Sequence, residues 1–585
     1  MFIMLSIFII FYQVNDMIKK PWLKYYGDSP EFVTIPDKTT YSIIRENAER
    51  YPHHAALYYL GSTIGYRKFL KQIDRCAAAF SKLGIGAGDS VTICAPNIPQ
   101  TVIAFYALSK IGAVASMLFP LAGEKEVYDC LSISNSKAAV ILDLQYKNFV
   151  NQIKKTNCEK LIILKVQDYL PKTKKTFLNI YDFFQGKKKI TSPDAVYWWP
   201  FMRQRGPIAD PFPKTAKDPS IILYSGGTTG KPKGIVYNDF ILNAAVTQAM
   251  AMLAREDALK PGDAFLAVLP TFHCFGLAIG VHAPMMTAGI SLLIPKPANK
   301  FIYQAMKYKC PKIMSGVPTL FKLMLESQSI WKLNLSPLKG IFCGGDKIPE
   351  TLKNRLNIAL KKAGCTKTAR EGYGLTECAP PCAINPDKNQ EIGSIGIPCA
   401  NVLAKVVEPG TEIELPYGTD GELCVSAPTN MLYYLNEPEE TAQTKRMHKD
   451  GHEWIHTGDI CSMSENGFIF FKLRQKRMIK VSGICVYPTL VEEILQTHKA
   501  VKEACVVKIP HQYKLNVLKA YIILNENMKP SAKIEKELQQ LCRKEFAPQS
   551  CPKEFEFLSD FPRTKVGKTD FMALERMARE KANVK

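Results

Sequence analysis

YSGGTTGKPKGIV, Tyr224 to Val236, is the stretch on which the reading of this chain turns. It follows the apolar run Ile221 to Leu223, which has the length and composition of a buried strand. Gly226, Gly227 and Gly230 let backbone N–H groups come close to an anion. Ser225, Thr228 and Thr229 add hydroxyl donors, and Lys231 and Lys233 add positive charge. A strand that delivers such a loop is suited to holding a polyphosphate. The loop is not a Walker A motif, which needs four residues between its glycines and Ser or Thr after its lysine. Here three residues separate Gly226 from Gly230, and Pro232 follows Lys231.

Outward from the loop, short apolar runs alternate with helical patterns. Ser90 to Cys94, Ala138 to Leu142, Phe265 to Leu269, Ser291 to Ile294 and Ile341 to Cys343 read as strands. Between Asn238 and Arg255, Leu242, Val246, Ala249 and Leu253 recur at helical spacing, with Asn238 or Asp239 as the N-cap. This alternation predicts an α/β fold with layered, largely buried sheets. Lys172, Lys174, Lys175 and Lys187 to Lys189 lie in a stretch of little periodicity, read as a solvated surface loop. Beyond residue 474 the charged segment RQKRMIK leads into a unit of about 110 residues. There Leu490, Val491, Ile494 and Leu495 mark a helix, Ala504 to Ile509 and Leu518 to Leu524 mark strands, and Ile534, Leu538 and Leu541 mark a second helix.

The 585 residues allow several domains, and 46% hydrophobic with 22% charged residues excludes wholesale disorder. Seventy-six basic residues against 54 acidic ones give +22, a surface that attracts polyanions without choosing among nucleotides, coenzyme A, anionic lipid and nucleic acid. The 17 cysteines are odd in number and show no Cys-x-x-Cys pair, which favours a reducing compartment over a disulfide scaffold. MFIMLSIFIIFY at the start is apolar but shorter than the roughly 18 residues that span a bilayer, and it lacks a basic region before it. Residues 1–16 are expected to be an apolar extension, or untranslated sequence ahead of a true start at Met17.

The loop resembles the phosphate-binding signature of the adenylate-forming superfamily, which includes acyl-CoA synthetases, luciferases and peptide-synthetase adenylation domains. Further matching segments follow in the family's order: LPTFHCFG (Leu269 to Gly276), GVPT (Gly316 to Thr319), CGGD (Cys343 to Asp346), EGYGLTECAP (Glu371 to Pro380), GSIGIP (Gly393 to Pro398), HTGD (His456 to Asp459) and KVGK (Lys565 to Lys568). The wording is most like that of long-chain fatty-acid–CoA ligases. The resemblance implies a large multi-subdomain adenylation domain over 17–473, a hinge at 474–476, and a small mobile α/β domain over 477–585. It implies ATP-dependent activation of a carboxylic acid to acyl-AMP and then to the coenzyme A thioester. Aryl, bile-acid and medium-chain acids stay open as substrates, as does an enzyme that stops at the adenylate or loads a carrier protein on another chain.

By the same resemblance Ser225, Gly226, Gly227, Thr228, Thr229, Gly230 and Lys233 would hold the ATP phosphates. Glu377 would hold Mg²⁺, with Thr376 at the α-phosphate; a carboxylate oxygen is a proper ligand for that hard cation. Gly345, Asp346, Tyr373 and Gly374 would line the adenine site, and Asp459 and Arg474 would meet the ribose. Lys568 would contact the reacting carboxylate and α-phosphate. Lys476 would be the pivot, and Lys480 and Gly483 would serve the thioester step. His273 would stand at the mouth of the acyl site, where amino-acid-activating relatives carry Asp. Gly276, Gly280 and Gly316 would leave room for a long chain. The sequence departs from the family pattern at Leu473, at Ser426-Ala427 and at Tyr433. The implied cofactors are ATP, Mg²⁺ and coenzyme A. Peripheral contact with membranes is expected, a nucleic-acid partner is not, and the implied location is cytoplasmic.

Overall fold

The computed structural model describes residues 19–185, 189–204, 211–226, 232–474, 479–481, 484–486, 488–511, 515–526, 528–546, 550–564 and 568–583. The apolar residues 1–16 lie outside these. The chain divides into two compact units, the first comprising Met1–Ala404, Cys424–His456 and Asn466–Phe468, the second Lys405–Leu423, Thr457–Glu465 and Ile469–Lys585.

Two large sheets build the first unit. In the eight-stranded sheet, Ser90–Cys94 lies between Val114–Met117 and Ser136–Leu142, all parallel, and Pro219–Gly226 joins beside Val114–Met117. In the nine-stranded sheet, Ala264–Ala267, Ile313–Gly316, Gly340–Cys343 and Ala369–Tyr373 run parallel in that spatial order. The first four sequence-predicted strands all form in these sheets, as do Ser291 to Ile294 and Ile341 to Cys343 within a residue or two. They are near-continuous apolar runs because helices cover both faces of a parallel sheet. Beside the nine-stranded sheet, Leu266, Leu292, Met314 and Ile341 pack with Leu320, Phe321, Leu356 and Leu360 from the helices Pro318–Leu325 and Glu350–Lys362.

The helix Asp239–Ala251 begins where the sequence places it, with Asn238 Oδ1 accepting from the Ile241 N–H at 2.8 Å. Asp239 does not cap it. Its carboxylate is buried against the Lys214 ammonium at 3.0 Å and accepts from Ser220.

Lys172, Lys174 and Lys175 of the lysine-rich stretch lie on a helix and not in a loop, while Lys187 and Lys188 lie outside the described residues. Lys172–Phe184 is a helix on which Lys172, Lys174, Phe177 and Ile180 are exposed. Phe177 and Ile180 face outward, which weakens the inward apolar stripe that marks a packed helix in a sequence.

In the second unit the strands Val501–His511 and Leu515–Leu524 pair antiparallel, and Glu554–Phe557 adds in parallel. Alternation along these strands feeds two cores. Val506, Leu518, Ala520 and Ile522 pack with Val491, Leu495 and Leu538 of the helices Pro488–Gln496 and Ala532–Glu545. Val507, Ile509, Val517, Tyr521 and Ile523 pack with Leu574 and Ala578 of the helix Phe571–Asn583. Side chains of period two on a sheet with helices on both faces give this small α/β layering. Sixteen of the 17 cysteines are seen as free thiols, and 15 of those are buried.

Candidate active site

The first unit carries Gly345, Asp346, Tyr373, Gly374, Thr376 and Glu377 at or just beyond the C-terminal ends of two parallel strands, where open α/β sheets bind ligands. Gly340–Cys343 and Ala369–Tyr373 are neighbours, with Cys343 opposite Glu371. The chain leaving the first carries Gly345 and Asp346, and that leaving the second carries Tyr373 to Glu377. These turns are packed closely. Gly345 has φ +79°, and a Cβ on Gly374 would lie 2.3 Å from Pro380 Cβ. Asp346 is exposed, with Oδ1 accepting from the Lys347 N–H at 3.0 Å. Tyr373 is half-buried.

The phosphate loop connects two antiparallel strands of the other sheet, Pro219–Gly226 and Pro232–Asn238, with Ser225 opposite Lys233. Gly227, Thr228, Thr229 and Gly230 lie outside the described residues, as does Lys231. Tyr224 anchors the outgoing strand, donating to the Cys130 carbonyl at 3.1 Å and accepting from Ser116. Lys233, on the returning strand, pairs with Glu440 at 2.7 Å and sits 5.4 Å from the centre of the Tyr434 ring.

Glu377 is brought to this strand by two tyrosines that the sequence reading did not single out. Tyr237, four residues past Lys233, donates to the Thr376 carbonyl. Tyr434 donates its phenolic hydrogen to Glu377 Oε1 at 2.8 Å, and the Met431 N–H donates to the Glu377 carbonyl at 2.8 Å. The short strand Tyr433–Tyr434 pairs with the returning strand, Tyr434 opposite Ile235. Lys233, Thr376 and Glu377 therefore stand around one seam between the two sheets. Only the local pattern of Tyr434-Leu-Asn-Glu-Pro could have pointed to it, because its partner is 57 residues away.

Around His273 the structure revises the role of three glycines. The strand predicted to reach Leu269 ends at Ala267, because Asn97 captures the next turn. Its amide donates to the carbonyls of Ala267 and Leu269 at 2.9 and 2.8 Å and accepts from the Thr271 N–H. His273 is half-buried beside Phe272, whose ring also meets Phe119. A Cβ on Gly276 would fall 2.2 Å from the Pro270 carbonyl oxygen, one on Gly280 3.2 Å from Ala267 Cα, and one on Gly316 2.9 Å from Leu320 and Phe321. Protein atoms fill the space in front of all three. Their smallness serves close packing, and the expected room for an acyl chain does not come from them.

In the second unit Asp459 and Arg474, both predicted to meet the ribose, are direct partners in the antiparallel ladder of Glu453–Met463 with Ile469–Arg474. Asp459 is buried, and the strand backbone before it is fixed by Glu422. That carboxylate accepts from the Gly458 N–H at 3.0 Å, where φ is +65°, and from the Gly410 N–H at 3.1 Å. Glu422 was not legible in the sequence. Lys568 is half-buried and paired with Thr564, its N–H donating to Thr564 Oγ1 and its carbonyl accepting from the Thr564 N–H at 2.7 Å. Lys480 lies on the strand Ile479–Val481. Lys476 and Gly483 lie outside the described residues.

A family model described as AMP-binding enzyme matches residues 44–435, and one described as AMP-binding enzyme C-terminal domain matches residues 490–568. The chain is 30% identical over 562 residues to a long-chain-fatty-acid–CoA ligase of Bacillus subtilis, covering 94% of this chain and 96% of that one. It is 30% identical over 580 residues to a ligase of the same name from Salmonella typhimurium, covering 97% and 100%. Among solved structures, the ATP-bound RpMatB-BxBclM chimera B1 superposes with a TM-score of 0.79 at 20% identity, covering 93% of this chain and 99% of that one. The anthranilate CoA ligase AuaEII with anthranoyl-AMP gives 0.75 at 22% identity, covering 95% and 99%. Fold, motif order and relatedness along nearly the whole length agree, and the chain belongs to the AMP-binding enzyme family, in the acyl-CoA synthetase branch of the adenylate-forming enzymes.

Proposed function

We propose that the chain joins a long-chain fatty acid to coenzyme A at the expense of ATP. The observation that carries this reading is relatedness to long-chain-fatty-acid–CoA ligases over almost the full length of both chains. A carboxylate is a poor electrophile. Its oxygen attacks the α-phosphorus of ATP, the bond to pyrophosphate breaks, and an acyl-adenylate forms. The coenzyme A thiol, losing its proton, then attacks the acyl carbon and AMP leaves. Negative charge builds on the α-phosphate and the departing pyrophosphate, so placed positive charge and donors do most of the work.

Ser225 to Gly230 and Lys233 supply the cradle in this reading, with Thr376 at the α-phosphate. Among the described residues no group of three or more His, Cys, Asp or Glu side chains could hold a metal by itself. Mg²⁺ commonly takes one or two carboxylates and completes its shell with substrate phosphates and water. Glu377, with one oxygen bonded to Tyr434, fits such a ligand, and Mg²⁺ would there neutralise phosphate charge. Gly345, Asp346, Tyr373 and Gly374 bind the base, and Asp459 and Arg474 the ribose. Lys568 contacts the reacting carboxylate, a compact ammonium being suited to a charge that must arrive and leave. Arg474 to Lys476 form the hinge, after which Lys480 and Gly483 serve the thioester step. His273 cannot pair with an ammonium group, which argues against an amino acid substrate. Free cysteines support a reducing, cytoplasmic setting. Peripheral contact with anionic membranes is part of the same reading, supported by the +22 charge and the exposed face of Lys172–Phe184.

The test is to follow AMP and acyl-CoA with ATP, Mg²⁺, coenzyme A and short, medium, long, aromatic and steroid acids. Long-chain acids are expected to give acyl-CoA, and Lys568→Ala should slow their adenylation about 100–1000-fold. Acyl-CoA from another acid class alone would replace the substrate assignment. Pyrophosphate release without thioester would move the acceptor to a carrier or another nucleophile.

A further inference from the structure

The seam between the two sheets carries one residue in contact with both charged groups expected at the triphosphate. Tyr434 is 6% exposed and its hydroxyl donates to Glu377 Oε1 at 2.8 Å. The ammonium of Lys233 lies 5.4 Å from its ring centre and is held on its other side by Glu440 at 2.7 Å. The backbone around Tyr434 is fixed by its neighbours. The Tyr434 N–H donates to Thr441 Oγ1 at 3.0 Å, the Thr441 hydroxyl donates to the Glu437 carbonyl at 2.8 Å, and the Leu435 N–H donates to the Gly234 carbonyl at 2.7 Å.

We propose that Tyr434 is a positioning residue of the adenylation site, a rigid phenol that sets Glu377 and Lys233 at a fixed spacing before the metal–triphosphate arrives. The inference rests on the reading of Glu377 and Lys233 given above. A carboxylate on a turn has several rotamers of similar energy, and a hydrogen bond from an immobile donor selects one of them. The phenol is the donor of that bond, and its ring is buried. The aromatic face favours an ammonium beside it, so the same ring holds Lys233 near the Glu377 side of the seam. Preorganisation of this kind removes reorganisation at the moment of reaction.

Tyr434→Phe keeps the ring and its packing and removes only the donor. ATP binding is measured by titration calorimetry with and without Mg²⁺, alongside ATP–pyrophosphate exchange, for wild type, Tyr434→Phe, Glu377→Gln and the double variant. Hydrogen bonds to charged groups are strong enough that Tyr434→Phe should weaken Mg²⁺-dependent ATP binding about 10-fold. Metal-free binding should stay within about twofold. In the Glu377→Gln background the second substitution should add nothing, because the interaction is already gone. A folding defect would instead lower binding by the same factor in both backgrounds, and that result overturns the proposal. Wild-type binding in Tyr434→Phe beside a loss in Glu377→Gln also overturns it while leaving the reading of Glu377 intact. Unchanged binding in Glu377→Gln removes that reading and the proposal together.

Discussion

His282 shows how a single buried ring sets the response of the fold to acid. It is fully buried beside Tyr106 and Asn243. Because the Asn243 amide nitrogen donates to the Pro36 and Lys38 carbonyls, its oxygen accepts from His282 Nε2–H, and Nδ1 accepts from the Tyr106 hydroxyl. Desolvation holds the ring neutral, lowering its pKa from 6.5 to about 4. The folded chain refuses a proton that the unfolded chain accepts, so this contribution is complete above pH 6.5 and is lost as pH falls toward 4. At pH 5 the loss from this residue should reach about 2 kcal/mol. Urea unfolding at pH 7 and pH 5 measures it, and His282→Gln should flatten the difference by roughly that amount. An unchanged pH dependence in the variant would assign the acid response to other groups. Legibility at this scale followed sequence distance. Asn238 was readable as a cap because its partner is three residues on. Asn97, Glu422 and Tyr434 were not, because the partners that give them their roles lie 12 to 174 residues away.

Elements were readable where burial imposes a period and unreadable where something else ends or exposes them. Strands such as Ser90–Cys94 and Gly340–Cys343 are apolar because both faces are covered. Lys172–Phe184 read as a loop because Phe177 and Ile180, midway along it, point outward. The strand Ala264–Ala267 stops short of the apolar run because a distant amide takes its next carbonyls. The π-helical segment Gly276–His282 that follows depends on Gly276 in a way composition could not disclose. Ala is a better helix former than Gly by about 1 kcal/mol, so propensity alone predicts stabilisation. The Pro270 and Leu269 carbonyl oxygens, 2.2 and 2.6 Å from an added Cβ, predict the opposite. Neither is the end of a flexible side chain, so backbone must move, at a cost of about 1–3 kcal/mol or more. Gly276→Ala should lower the unfolding midpoint in denaturant, while Gly86→Ala, where an added Cβ meets nothing within 4 Å, should not. Equal midpoints for the two would show that the turn relaxes without strain.

At the scale of the whole molecule, charge and one exposed helix face would make separable contributions to the membrane contact proposed above. The motif order revealed the catalytic scaffold, and the +22 charge announced an affinity for polyanions without locating it. Charge attraction weakens with salt, since the screening length falls from about 10 Å at 0.1 M to about 3 Å at 1 M. Apolar insertion does not weaken in that way. Phe177 and Ile180, 69% and 51% exposed, lie three residues apart on one face of Lys172–Phe184, with Lys172 and Lys174 on the same helix. That arrangement suits a helix lying in the headgroup layer. No helix among the described residues is long and apolar enough to cross a bilayer. Wild-type protein should sediment with vesicles containing anionic lipid at low salt and be largely released at high salt. Phe177→Ser with Ile180→Ser should weaken low-salt binding about 10-fold, because burying such side chains is worth about 1.5–3 kcal/mol each when complete. The double variant should keep its activity on a soluble acid, since neither residue belongs to the site. Binding that falls with salt but ignores the two substitutions would place the contact on another basic surface, and no binding at low salt would remove membrane contact from the function proposed for this enzyme.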